Sequence, residues 1–203
     1  MTSAGLWFPR EARVGKMVLV VALLVVLGLS RPGASSSRPC TCDDIDDMKD
    51  SLQTIDKTRE AWYSVLADIY GQAHAPKDMA EAVKKFEGYM GWTSSKKVGG
   101  LTPIGINSKG DTAIDPDYES AHCDRVVEGV RVHENSHYWY FVVRSIPIAM
   151  SGPRGLARIL AKSEIEARND QESFLVGELR ALSKRCGRDF TWKPRKPKRI
   201  QGT

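Results

Sequence analysis

The 203-residue sequence has no apolar run long enough to span a bilayer. Its longest, "MVLVVALLVVLGL" at residues 17–29, has 13 residues, whereas a spanning helix needs roughly 20. No cysteine directly follows that run, which argues against a lipoprotein anchor. No internal repeat is visible. Histidine is scarce, with four in the chain, so two of them at metal-ligand spacing are unlikely to arise by chance.

What is present begins with a leader. Arg10, Arg13 and Lys16 precede the apolar run, and "SRPGASSSRP" follows it. A basic start, a short apolar core and small residues read as a secretory signal peptide over residues 1–34, with cleavage near Ala34. The remaining length of about 165 residues suffices for one domain with a real core over residues 35–187. An exported chain with Cys40, Cys42, Cys123 and Cys186 is expected to form two disulfides. Cys40 and Cys42 lie too close to pair comfortably with each other. Each should therefore take one of the distant pair, fastening the first and last helices to the region before residue 130.

The net charge of +5 is unevenly placed. From Lys184 onward there are eight basic residues and one acid, Asp189, so the body before it is net acidic. The segment 188–203 reads as a basic tail, disordered beyond Trp192 and mainly solvated. Contact with an anionic polymer is the lesser use for such a tail, and nucleic acid is not the expected partner. No stable membrane span is expected in the mature chain.

The fold class is mainly α. Residues 43–72 show helical spacing at Ile45, Met48, Leu52, Ile55, Trp62, Val65, Leu66 and Ile69. Asp43 and Asp44 stand where acids suit a helix N-terminus. Further helices are expected over residues 76–90, 120–144 and 155–185. Residues 91–118 form an irregular insert that could hold a small hairpin and line a cleft.

The third of these helices contains "VRVHENSHYWYF", residues 130–141. Positions four apart share a helix face, so His133 and His137 can offer ring nitrogens to one metal ion. Glu134 is rotated about 100° from His133, where it can reach a water beside that ion but not easily ligate it. This is the H-E-x-x-H arrangement, two zinc ligands and a general base. Val126, Val130 and Tyr140 fall in the same arc as the histidines, so the pair belongs to the buried face. Histidines buried together need a partner, and Zn2+ is the expected one.

A third ligand is expected from the last helix. Setting Leu160 at zero, Leu156, Ala167, Gln171, Phe174, Leu175 and Leu182 fall within about 60°. Glu164 falls at about 40°, inside this stripe, and Glu166 at about −120°, outside it. A carboxylate on a buried face needs a cationic partner, which favours Glu164 as ligand; a salt bridge to Arg168 is the competing use. Asp170 could accept the second N–H of a ligand histidine. Tyr138 or Tyr140 could donate to an oxyanion, though packing is the commoner use of the Tyr138, Trp139 and Tyr140 side chains. Arg168 could orient substrate or Glu164.

These motifs resemble the zincin clan, and gluzincins in particular, over residues 120–176. The sequence is also similar to small exported bacterial proteins with H-E-x-x-H followed by E-x-x-A, here Glu164-Ile-Glu-Ala167. Arg168 stands where that pattern often has an aromatic. Glu166 and Asp170 have the E-x-x-x-D spacing of thermolysin-type sites, which keeps Glu166 as an alternative ligand. The resemblance implies a zincin-like domain with His133, His137 and Glu164 on zinc, Glu134 as catalytic base, and a peptide or protein substrate. The rival expectation is a non-catalytic zinc-binding or scaffold module of the cell envelope or exterior.

Overall fold

The structure is a computed structural model that describes residues 37–91, 104–106, 112–143 and 151–193. The expected signal peptide lies outside the described residues, as does most of the insert. A 3-10 turn, Cys42–Asp44, leads into α1, Ile45–Gly71. Helix α2 follows at Met79–Met90. Strands β1, Ile104–Ile106, and β2, Thr112–Ile114, pair antiparallel, with Gly105 opposite Ala113. Then come α3, Pro116–Ala121, α4, Asp124–Val143, and the long α5, Pro153–Arg185. The mainly α reading holds, and a short hairpin lies inside the insert as expected.

The helix boundaries follow local chemistry. Helix α2 starts at Met79 rather than residue 76 because the Asp78 carboxylate accepts the Glu81 amide hydrogen at 2.9 Å, a side-chain cap. It ends at Gly91, whose φ of +70° suits glycine. The expected helix over 120–144 is two helices. His122 is extended, with φ −115° and ψ 157°, and Cys123 is tied by a disulfide, so α3 stops and α4 begins afresh. Pro153 opens α5, and Lys184 and Arg185 face the negative end of its dipole.

Helix α5 has 33 residues, about 50 Å of helix, and it organises the molecule. It packs on α1 and α2 on one side and on α4 on another. Its buried arc is therefore wider than the single stripe expected from Leu160, and Leu160 itself is only half-buried. One core cluster joins Trp62, Val65 and Leu66 of α1, Phe86 and Met90 of α2, and Ala157, Ala161 and Ile165 of α5. The other joins Ile45, Met48, Leu52 and Ile55 of α1, Cys123 and Val126, and Leu175, Leu179 and Leu182 of α5. The pairing of early α1 with late α5 makes those two helices antiparallel.

The two disulfides bracket the second cluster. Cys40 joins Cys123 and Cys42 joins Cys186, closing loops of 83 and 144 residues. Loop closure of this length removes unfolded-chain entropy worth about 4–5 kcal/mol per bridge. Such bridges belong to an oxidising compartment. Beyond α5, Phe190 and Trp192 pack against the same cluster, so the packed body runs past residue 187. No helix among the described residues is long and apolar enough to cross a membrane.

Candidate metal centre

The site is where α4 meets the middle of α5. Gly129 allows the approach: a Cβ there would sit 3.0 Å from the Leu175 side chain. One turn later on α4 is His133, and opposite it α5 presents Ala167, fully buried. Small residues on both helices thus draw the backbones together, and the long side chains of His133, His137 and Glu164 fill the space between them.

The two imidazoles meet edge to face, with ring centroids 4.7 Å apart and planes at 85°. Their Nε2 atoms are 3.1 Å from each other. Glu164 Oε1 is 3.4 Å from His137 Nε2, and Glu164 Oε2 is 3.9 Å from His133 Nε2. Glu134 Oε1 is 3.8 Å from His133 Nε2. Four-coordinate zinc with bonds of about 2.0–2.1 Å holds its donor atoms about 3.3 Å apart. The 3.1 and 3.4 Å spacings fit that edge length, the 3.9 Å spacing from His133 to Glu164 is longer, and the donor set of two imidazoles and a carboxylate suits zinc. Two neutral imidazoles at 3.1 Å satisfy each other only if one donates to the other; a shared cation satisfies both lone pairs. His133, Glu134 and His137 can hold a metal ion, with ligand atoms within 4.8 Å of one another, and Glu164 adds a carboxylate oxygen 3.4 Å from His137 Nε2.

The electrostatics suit the same use. Burial, helped by the Arg168 charge, pushes the His133 ring down from its ordinary value to about 3, so it stays neutral. Burial alone would raise the Glu164 carboxyl. The hydrogen bond from His137 and the charge of Arg168 outweigh it and bring that group to about 2. Burial raises the Glu134 carboxyl above its ordinary value, the direction that makes a carboxylate a better base near neutrality.

The surrounding contacts correct part of the expectation. His137 Nδ1 meets Ser163 Oγ at 2.6 Å. Asp170 does not reach either ring; it accepts the Ser136 hydroxyl at 2.6 Å instead. Ser163 is 1% exposed and holds the position that orients a ligand histidine. The sequence signal for it was a hydroxyl within the buried arc, next to Glu164. His133 Nδ1 is buried without a partner of hydrogen-bond geometry. The Ala167 backbone favours a proton on this ring, but the contact is too loose to count as a bond. Glu166 is exposed and points away from the cluster, so the structure brings Glu164, not Glu166, to the histidines. Arg168 Nη2 donates to Glu164 Oε2 at 3.1 Å, so the expected salt bridge is also present.

Trp139 is 62% exposed and Tyr140 is buried at 6%; the Tyr138 side chain lies outside the described residues. His74 is exposed, and His122 pairs with Asp47 at 2.9 Å. Cys40, Cys123 and Asp124 also cluster, but both sulfurs are spent in a disulfide. An open groove of about 650 Å³ on the outer face of α1, lined by Asp50, Lys57, Glu60 and Tyr89, includes none of the site residues. No protein-family model, curated protein or solved structure matches the chain.

Proposed function

We propose that the chain is an exported zinc-dependent metallopeptidase with a zincin-like site. The observation that carries this reading is the gathering of His133 Nε2 and His137 Nε2 at 3.1 Å, with Glu164 oxygens 3.4 Å from His137 and 3.9 Å from His133 and with Glu134 beside them. His133, His137 and Glu164 are the residues that would hold zinc. Bound zinc would supply Lewis acidity, polarising a carbonyl and bringing the pKa of a water to about 7. Glu134 is placed to take a proton at the edge of the cluster and deliver it to the leaving amine of a peptide. Its burial raises the carboxyl above its ordinary value, the direction that favours a base. Ser163 fixes the His137 ring so that Nε2, not Nδ1, faces the cluster.

The salt bridge from Arg168 favours a second reading, in which the same residues form a polar network that fastens α4 to α5 and bind no catalytic metal. Glu134 divides the two. A fastening network has no use for a partly buried carboxylate beside the imidazoles, whereas hydrolysis requires one. Metal analysis of the purified protein beside Glu134→Ala and His137→Ala tests the first reading. One zinc per chain should survive in Glu134→Ala and be lost in His137→Ala. Hydrolysis of a peptide library should be present in wild type and absent from both variants. Equal metal in all three proteins rejects the site.

A further inference from the structure

The two oxygens of Glu164 have different surroundings. Oε1 lies 3.4 Å from His137 Nε2. Oε2 accepts from Arg168 Nη2 at 3.1 Å and lies 3.9 Å from the other ring, at His133 Nε2. Arg168 is one helical turn after Glu164, the spacing at which two side chains on a helix meet. Its side chain is 18% exposed, and its Nε is buried with no partner. The guanidinium also acts electrostatically on Glu134. One desolvated cation therefore faces both carboxylates of the cluster.

Resting on the metal reading above, we propose that Arg168 is a positioning residue that holds back one oxygen of Glu164, so that the cluster offers a cation three single donor atoms. A carboxylate can ligate through one oxygen or two. A charge-assisted hydrogen bond to Oε2 removes the second option, because chelation would require the guanidinium to give up its carboxylate partner in a largely desolvated site. Arg168 thus keeps part of the ion's surroundings open for a substrate carbonyl and a water, as a catalytic zinc site requires. An arginine in this role is not interchangeable with an apolar residue of similar length, since the reserve on Oε2 is made by charge and an N–H together.

Cobalt(II) as a colour-bearing substitute for zinc reads donor number directly. The disulfide-bonded full chain is titrated with cobalt chloride as wild type, Arg168→Lys, Arg168→Gln and His137→Ala, with folding checked by circular dichroism. Wild type and Arg168→Lys should show the intense visible band of a low-coordinate ion. In Arg168→Gln the band should weaken as the second Glu164 oxygen joins. An unchanged band in a folded Arg168→Gln overturns the inference and leaves the metal site standing. No cobalt uptake by wild type, or equal uptake by His137→Ala, overturns both. Infrared difference spectra of the wild type on zinc addition give a test that needs no Arg168 variant. The Glu164 carboxylate stretches, assigned by their loss in Glu164→Gln, should be widely split, as for ligation through one oxygen. A narrow splitting, as for ligation through two, overturns the inference.

Discussion

Two arginines stand at the middle of α5, Arg59 brought there by α1 and Arg168 from α5 itself, and they are partnered differently. Arg59, from α1, donates to Asp56, to Glu172 and, at 3.0 Å, to Asn169. The Trp192 indole closes the group by donating to Glu172 Oε1 at 3.2 Å. No buried side-chain polar atom in that cluster lacks a partner. Around Arg168 the pattern is different: its Nε and His133 Nδ1 are both unpartnered, and two Nε2 atoms face each other. A fully satisfied network rigidifies a fold. A network whose lone pairs converge with some atoms unmatched is waiting for something else. The first cluster is structural, and the second is the candidate site.

That contrast breaks most visibly at Arg59. Replacing it with Met strands Asp56 and Glu172 in a buried setting, 5% and 10% exposed. Removing one partner of a buried pair costs about 3–5 kcal/mol, measurable as a lower denaturant midpoint. Metal content per folded chain should not change. His137→Ala should change the response to metal instead. At a zinc concentration 100 times Kd, wild type gains about 2.7 kcal/mol of unfolding free energy. The variant should gain none, whatever its metal-free stability. If zinc stabilises both proteins equally, the two clusters do not differ in kind.

Much of this was legible in the sequence, and the limits are physical. The four helices follow from apolar spacing, and the disulfide partners of Cys40 and Cys42 were narrowed to two pairings by proximity alone. Glu164 was found because a carboxylate inside an apolar stripe demands a partner. The same reasoning applies to Arg59, which falls about 40° from Ile55 on α1, but no motif drew attention to it. Asp56 is one local partner, but Asn169 and Glu172 are 110 and 113 residues away, beyond what local pattern can pair. Asp170 is the partner the sequence suggests because carboxylates commonly take the second N–H of a ligand histidine, yet Ser163 takes that place. The choice was made by the rotation of α5, which buries Ser163 and leaves Asp170 at the rim. The break before Asp124 was invisible because α3 and α4 share helical composition, and the bridge at Cys123 separates them.

Smaller changes sharpen the comparison. Ser163→Ala removes the group that orients His137 without touching a metal donor. Loss of such a partner weakens metal binding about 10–100-fold, measured by chelator competition, with little change in metal-free stability. Trp192→Phe keeps the ring packed and removes its N–H from Glu172. A hydrogen bond to a charged group contributes about 1.5 kcal/mol, so the midpoint should fall modestly and zinc affinity should hold. If Trp192→Phe weakens zinc binding as much as Ser163→Ala does, the clusters are coupled through α5 and are not separate devices.

The gentlest test is acidification of the metal-free protein. His133 is held down from 6.5 to about 3 by burial first and by the Arg168 charge second. Between those values the unfolded ring carries a proton and the folded ring does not, so stability rises with pH. This contribution is fully present above pH 6.5 and is lost as pH falls through about 3. Glu164 has the same sign over a lower window, from its ordinary 4.5 down to about 2. Only His133 of the two acts between pH 4.5 and 6.5. Its share of the slope there is bounded by one proton, about 1.4 kcal/mol per pH unit. His133→Gln should flatten the unfolding free energy over that interval, whereas Trp192→Phe should lower the whole curve and leave its slope unchanged. A His133→Gln slope equal to wild type would mean that the ring titrates normally in the folded chain, and that the close seat between α4 and α5 does not desolvate it.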